Sequence, residues 1–170
     1  MKIIGFTHIN TATRMVLKGD SSLLVNRKPF FVPDWSNEVN ANPCIVLRVS
    51  RLGKNIQPKF AARYYDAIAL GLNVHADDAC RAGDLTQAYA FDYSMVIGTY
   101  LEADNAYWQD IDTKTVISCA EAIHRASEVM TIRQGDLIFI DYNVPPRPLI
   151  REEVITEHID NQEVLYCKIK

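Results

Sequence analysis

In the stretch Met130-Thr131-Ile132-Arg133-Gln134-Gly135-Asp136-Leu137-Ile138 a helical period stops and an extended one begins. Upstream, Ser118 and Glu121 have the S-x-x-E spacing of a capping box, and Ala122, Ile123, Ala126, Val129 and Met130 then fall on one helical face. Downstream, Gly135-Asp136 reads as a turn at a strand entrance, and Leu137-Ile138-Phe139-Ile140 is apolar and too brief for a helix, as a buried strand would be. Ile45-Val46-Leu47-Arg48-Val49 and Met95-Val96-Ile97 read the same way, the second following the punctuation of Asp92 and Tyr93. Pro58 ahead of a window from Phe60 to Leu70, with Gly71 just beyond, predicts another helix. Val144-Pro145-Pro146-Arg147-Pro148 suits neither a helix nor a central strand, since three of its five residues lack an amide donor, and it is expected to be a surface loop. With no repeat and no linker, the pattern predicts one β-rich mixed α+β domain over residues 1–170.

A chain of 170 residues suffices for one self-supporting core. Its net charge of -3 comes from interspersed charges with no Lys/Arg cluster, which argues against nucleic acid as a partner. Cys44, Cys80, Cys119 and Cys167 lie far apart without a C-x-x-C pair, as scattered reduced thiols do, so a cytoplasmic setting is expected. The opening Met1-Lys2-Ile3-Ile4-Gly5-Phe6 turns polar from Thr7 to Thr11, too early for a signal-peptide core, and no membrane-spanning run follows.

Three stretches resemble the fumarylacetoacetate hydrolase (FAH) family, a compact bacterial subgroup in particular. Pro29-Phe30-Phe31-Val32-Pro33-Asp34, followed by Arg48 through Lys54 and Ala61 through Asp66, is similar to its first core region. Phe91-Asp92 leading into Val96-Ile97-Gly98 is similar to its central strand, and Met130 through Ile138 to its closing signature. The resemblance implies a shortened form of the fold of the family's C-terminal domain. It also implies a divalent metal, magnesium or manganese, that would polarise small 2-oxo or 2,4-dioxo acids for hydrolysis, isomerisation or decarboxylation.

At the positions matching the family's three metal-binding carboxylates stand Asn42, Cys44 and Asn73, so no metal is expected there: magnesium favours carboxylate oxygen, and these residues offer neutral amides and a soft sulfur. The segment that would carry the family's catalytic histidine appears to be deleted between Ile4 and the region from Lys18 to Ser22. Tyr89 stands for the expected lysine, and Ile140-Asp141-Tyr142-Asn143 for the loop that would bind a substrate carboxylate. Tyr89, Asp141 and Tyr142 are therefore degenerate pocket positions.

Cys44, His75, Asp77 and Asp78 could make a replacement zinc site; the alternative is that Cys44 is a buried apolar residue and the others flank the next helix. Asp77, Asp78 and Asp92 are the candidates for a rebuilt magnesium or manganese site. His8 and His75 are the candidate catalytic bases. His124 is expected to be solvated, Asp136 to be structural, and Trp35 and Trp108 to be packing or interface aromatics. The resulting expectation is an FAH-fold protein without metal-dependent catalysis and without a cofactor, serving a binding, regulatory or structural role. The alternatives are an active metal-dependent enzyme and a partner subunit of an active FAH-family relative. A homodimer is expected, in which a second copy covers strands such as Met95-Val96-Ile97 and Leu137 through Ile140.

Overall fold

A computed structural model describes residues 1–25 and 27–170. Two hairpins that the sequence reading missed open and close the chain. β1 (Ile3–Ile9) returns as β2 (Ala12–Lys18) through Asn10 and Thr11, both at positive φ, the conformation that two-residue hairpin turns require. The short β3 (Leu23–Leu24) precedes the long β4 (Val39–Val49) and β5 (Tyr65–Ala76), which pair antiparallel along their whole length. The short helices α1 (Asp77–Arg81) and α2 (Leu85–Tyr89) lead to β6 (Met95–Glu102). After α3 (Cys119–Val129) come β7 (Leu137–Asp141), β8 (Arg147–Pro148), and the hairpin β9 (Val154–Ile159) and β10 (Gln162–Lys168), turning at Asp160 and Asn161.

The main sheet runs β2-β1-β7-β4-β5-β6-β3, with β8 added to β4. β1 lies parallel to β7 and β3 parallel to β6; the other pairs are antiparallel. Alternate β4 residues enter different apolar clusters: Ile45, Leu47 and Val49 pack with Ala122, Ile123 and Ala126 of α3, whereas Cys44 and Val46 pack with Ala79, Ala88 and Tyr89 of α1 and α2. A third cluster joins Val39, Ala41, Leu72 and Val74 to Ile155, Leu165 and Cys167 of the β9–β10 hairpin. Because both faces are covered, the central strands carry near-continuous apolar runs without alternation.

Ser118 Oγ accepts the Glu121 amide at 3.1 Å, as the capping box predicts. Asp136 has the expected structural place: it accepts the Arg133 amide and the Lys2 amide, each at 2.9 Å, and pairs with Lys2 Nζ at 2.6 Å. That network fixes the turn that starts β7 and ties it to the start of β1.

Several expectations need correction. The predicted helix over Phe60 to Leu70 is only a 3-10 turn, Pro58–Arg63; Tyr65 onward is β5. Residues Ala67 through Leu70 are buried on both sheet faces, and Gly71 sits inside the strand instead of ending a helix. A Cβ there would come 2.8 Å from the Val96 carbonyl, so the glycine permits close strand approach. Val129 leaves the apolar face of α3 and is exposed. His124 is only half-buried and bridges outward from α3: its Nδ1 lies 2.8 Å from the Ile56 carbonyl. In the proline-rich loop, Arg147 and Pro148 pair with Ala41 and Asn40 at the edge of β4, a place that tolerates proline.

Candidate functional site

The antiparallel register of β4 and β5 sets Asn42 directly opposite Asn73, and Cys44 two residues along β4 points to the same face. On the other side of β4, Cys44 is opposite Asp141 of β7. The three positions singled out in the sequence are thus neighbours, with Asp141 beside them. Asn73 Nδ2 donates to both Asp141 oxygens, at 3.1 and 3.2 Å.

These side chains lie beneath a cleft of about 240 Å³ whose lining includes Thr7, His8, Asn42, His75, Asp77, Cys80, Tyr89 and Tyr142. Of the sequence candidates, His8, His75, Asp77, Tyr89 and Tyr142 reach this cleft. Cys44 and Asp141 are fully buried and line no part of it. Asp78 is turned away, accepting the Ser36 hydroxyl at 2.7 Å and the Asn37 amide at 3.1 Å, and Asp92 is exposed in the turn before β6. Asp77, Asp78 and Asp92 therefore do not converge. Among the described residues no three His, Cys, Asp or Glu side chains are grouped as a metal site.

His75, near the end of β5, and Asp77, the first residue of α1, meet: Nε2 lies 3.0 Å from Asp77 Oδ1, and Nδ1 faces the Asn73 carbonyl at 3.4 Å. The Asn40 amide also donates to Asp77, at 2.6 Å, and His75 with Asn40 holds this carboxyl below its usual range. The ring stacks on Tyr89, centroids 5.5 Å apart, while burial pushes the Tyr89 hydroxyl upward. Asp77 and Asp78 occupy the first turn of α1, flanking residues of a helix as the alternative to a zinc site supposes.

Sequence reasoning missed Lys18. This last residue of β2 is only 1% exposed, and its ammonium donates to Val74 O (3.0 Å), Ser94 O (2.9 Å) and Ser94 Oγ (3.0 Å). The rings of Phe139 and Tyr89 flank it at 5.7 and 5.9 Å. Burial lowers Lys18 to about 7, against the attraction of Asp141. Burial likewise raises Asp141 to about 7, against Thr7, Asn73, His75 and Lys18. Only a buried lysine next to a polar turn could have signalled this, and Lys18-Gly19-Asp20 reads as surface.

The set does not fit a divalent ion. Asn42 and Asn73 each have a buried amide oxygen without a partner, but these are neutral acceptors, suited to a water or a hydrogen-bond donor. Burial and Asp141 push the Cys44 thiol well above its ordinary range, so it stays protonated and is no thiolate ligand.

No family model and no curated protein matches the sequence. Solved structures do match in shape. Fumarylpyruvate hydrolase from Pseudomonas aeruginosa in complex with Mn2+ and pyruvate superposes with a TM-score of 0.83 at 17% identity, covering 99% of this chain and 88% of that one. 5-Carboxymethyl-2-hydroxymuconate delta-isomerase from Mycobacterium smegmatis gives 0.82 at 14%, covering 99% and 78%. A Yersinia pestis CO92 protein assigned to the fumarylacetoacetate hydrolase family gives 0.82 at 16%, covering 99% and 92%. At such identities the likeness is one of architecture, and the chain has the fumarylacetoacetate hydrolase fold.

Proposed function

We propose that this chain keeps the FAH fold as a scaffold without metal-dependent catalysis, and that its cleft serves a binding or regulatory role. One observation carries this: the register that brings Asn42, Cys44 and Asn73 together delivers no ionised ligand, and the nearby aspartates do not replace them. A divalent ion sheds water only where anionic oxygens offset the dehydration, and Asp141, committed to Asn73, is a single carboxylate. Changes outside the ligand shell alone typically lower metal affinity about 10- to 100-fold, and here the ligands themselves are neutral. In calorimetry, magnesium and manganese are expected to bind only weakly; a dissociation constant in the low micromolar range would overturn the proposal.

A second reading draws on the relatives. One structural neighbour carries Mn2+ and pyruvate and another is an isomerase, so an active enzyme on small 2-oxo acids is the alternative. It requires metal-dependent turnover of acylpyruvates or oxaloacetate that survives repurification and is lost on replacing Asp77, the one candidate aspartate at the cleft.

A further inference from the structure

We infer that Lys18 is the resident cation of this site: an ammonium delivered by β2 and held by three acceptors gives the buried core beneath the cleft its positive charge, so a metal ion there would meet a cation already in place. The inference deepens the metal-free reading above and rests on it in part, but its evidence is separate.

Three acceptors surround Lys18 Nζ at 2.9 to 3.0 Å, and satisfying all three takes three N–H bonds, which only the charged ammonium has. Ser94 Oγ spends its own proton on the Tyr89 carbonyl at 3.0 Å, leaving a lone pair for Lys18. The two ring faces supply further attraction for a cation. Among the described residues no carboxylate lies within ion-pair distance of Lys18 and no cation within that distance of Asp141; Asp141 attracts Lys18 from beyond contact, and His75 and Lys18 both act on Asp141. In low dielectric, such a pair interacts strongly even without contact.

The chain's own architecture places this cation. The chain turns in the tight hairpin at Asn10-Thr11, and β2 returns from it along β1 until Lys18 faces Ile3, on the edge of the cluster holding Cys44, Tyr89 and Phe139. The three acceptors around Nζ thus keep a positive charge in this core. Adding a divalent ion would introduce two uncompensated charges beside an ammonium that cannot leave.

The test restores the missing ligands. Asn42→Glu, Cys44→Glu and Asn73→Asp are combined in one protein, with Lys18 intact or replaced by Met, and Mn2+ binding is read by electron paramagnetic resonance. Removing Lys18 is expected to tighten Mn2+ binding at least about tenfold, which corresponds to about 1.4 kcal/mol; equal affinities in the two proteins would overturn the inference. Since three new carboxylates can prevent folding, thermal midpoints of Lys18→Met, Asp141→Asn and the double variant, all measured with EDTA, form the second arm. Each single change should lower the midpoint, and the pair should recover more than half of the summed loss. Additive losses would refute the pairing whatever the wild type does with metal, whereas tight Mn2+ binding by the wild type would refute only the metal-free reading.

Discussion

Lys18 and Asp141 give the folded protein an unusual dependence on pH. Asp141 is raised from the ordinary carboxylate range to about 7, so between those values the folded state holds a proton that the unfolded chain has lost, and stability falls as pH rises toward 7. Lys18 is lowered from the ordinary lysine range to about 7, so above 7 the unfolded chain holds a proton the folded state has released, and stability climbs again. The pair therefore contributes a trough near neutrality. Cys44, Tyr89 and His75 are the other ionisable groups around it; burial pushes the first two upward, away from this window. Urea unfolding at about pH 5, 7 and 9 should show the trough in the wild type and its loss in Lys18→Met/Asp141→Asn. A profile unchanged by the double substitution would contradict it. At this scale the sequence was half legible. Asn42, Cys44 and Asn73 could be picked out by position, and the structure sets them side by side. Lys18 could not, because a lysine followed by Gly19-Asp20 carries no local mark of burial: what encloses it comes from Val74, Ser94 and Phe139, far away in the chain.

Among the elements, α3 was readable because its information is local. Cap, apolar spacing and the Gly-Asp stop all lie within about twenty residues, and the one misplaced member, Val129, is exposed in the last turn although Met130 after it still packs on the core. Ser118→Ala should remove the acceptor for the Glu121 amide and lower stability by about 1 kcal/mol, and Ser118→Asp should retain most of it, as judged by urea midpoints. Equal losses in both variants would show that the cap bond is idle. β5 was misread for the opposite reason. Pro58 and Gly71 flank Phe60 to Leu70 as helix punctuation would, but the helical period yields to pairing with β4 and β6 on both sides, a tertiary fact that no local signal carries. The outer hairpins escaped notice because Asn10-Thr11 and Asp160-Asn161 lack the glycine that usually marks such turns.

For the molecule as a whole, Met95 through Ile97 and Leu137 through Ile140, the strands whose cover argued for a homodimer, are at most 7% exposed within a single copy. A homodimer, which we still propose, must use other surface. Phe31 and Ile150, 67% and 62% exposed, flank the C-terminal segment at Ile169 and are the leading apolar candidates. Light scattering at micromolar concentration should show a dimer that Phe31→Asp or Ile150→Asp dissociates into a monomer that still unfolds cooperatively, since neither side chain belongs to the core. A monomeric wild type would end that proposal. The parallel pairing of β1 with β7 has one more consequence, which concerns synthesis. Ile3 to Phe6 lie against Leu137 to Ile140, and Lys2 is bound to Asp136, 134 residues away in sequence. During synthesis β1 therefore waits for the chain to grow the 134 residues from Lys2 to Asp136 before its place beside β7 exists. Until then the apolar Ile3-Ile4-Gly5-Phe6 edge is unpaired, and a nascent chain stalled before Leu137 would expose it to any other free strand, including its own copies on the same message.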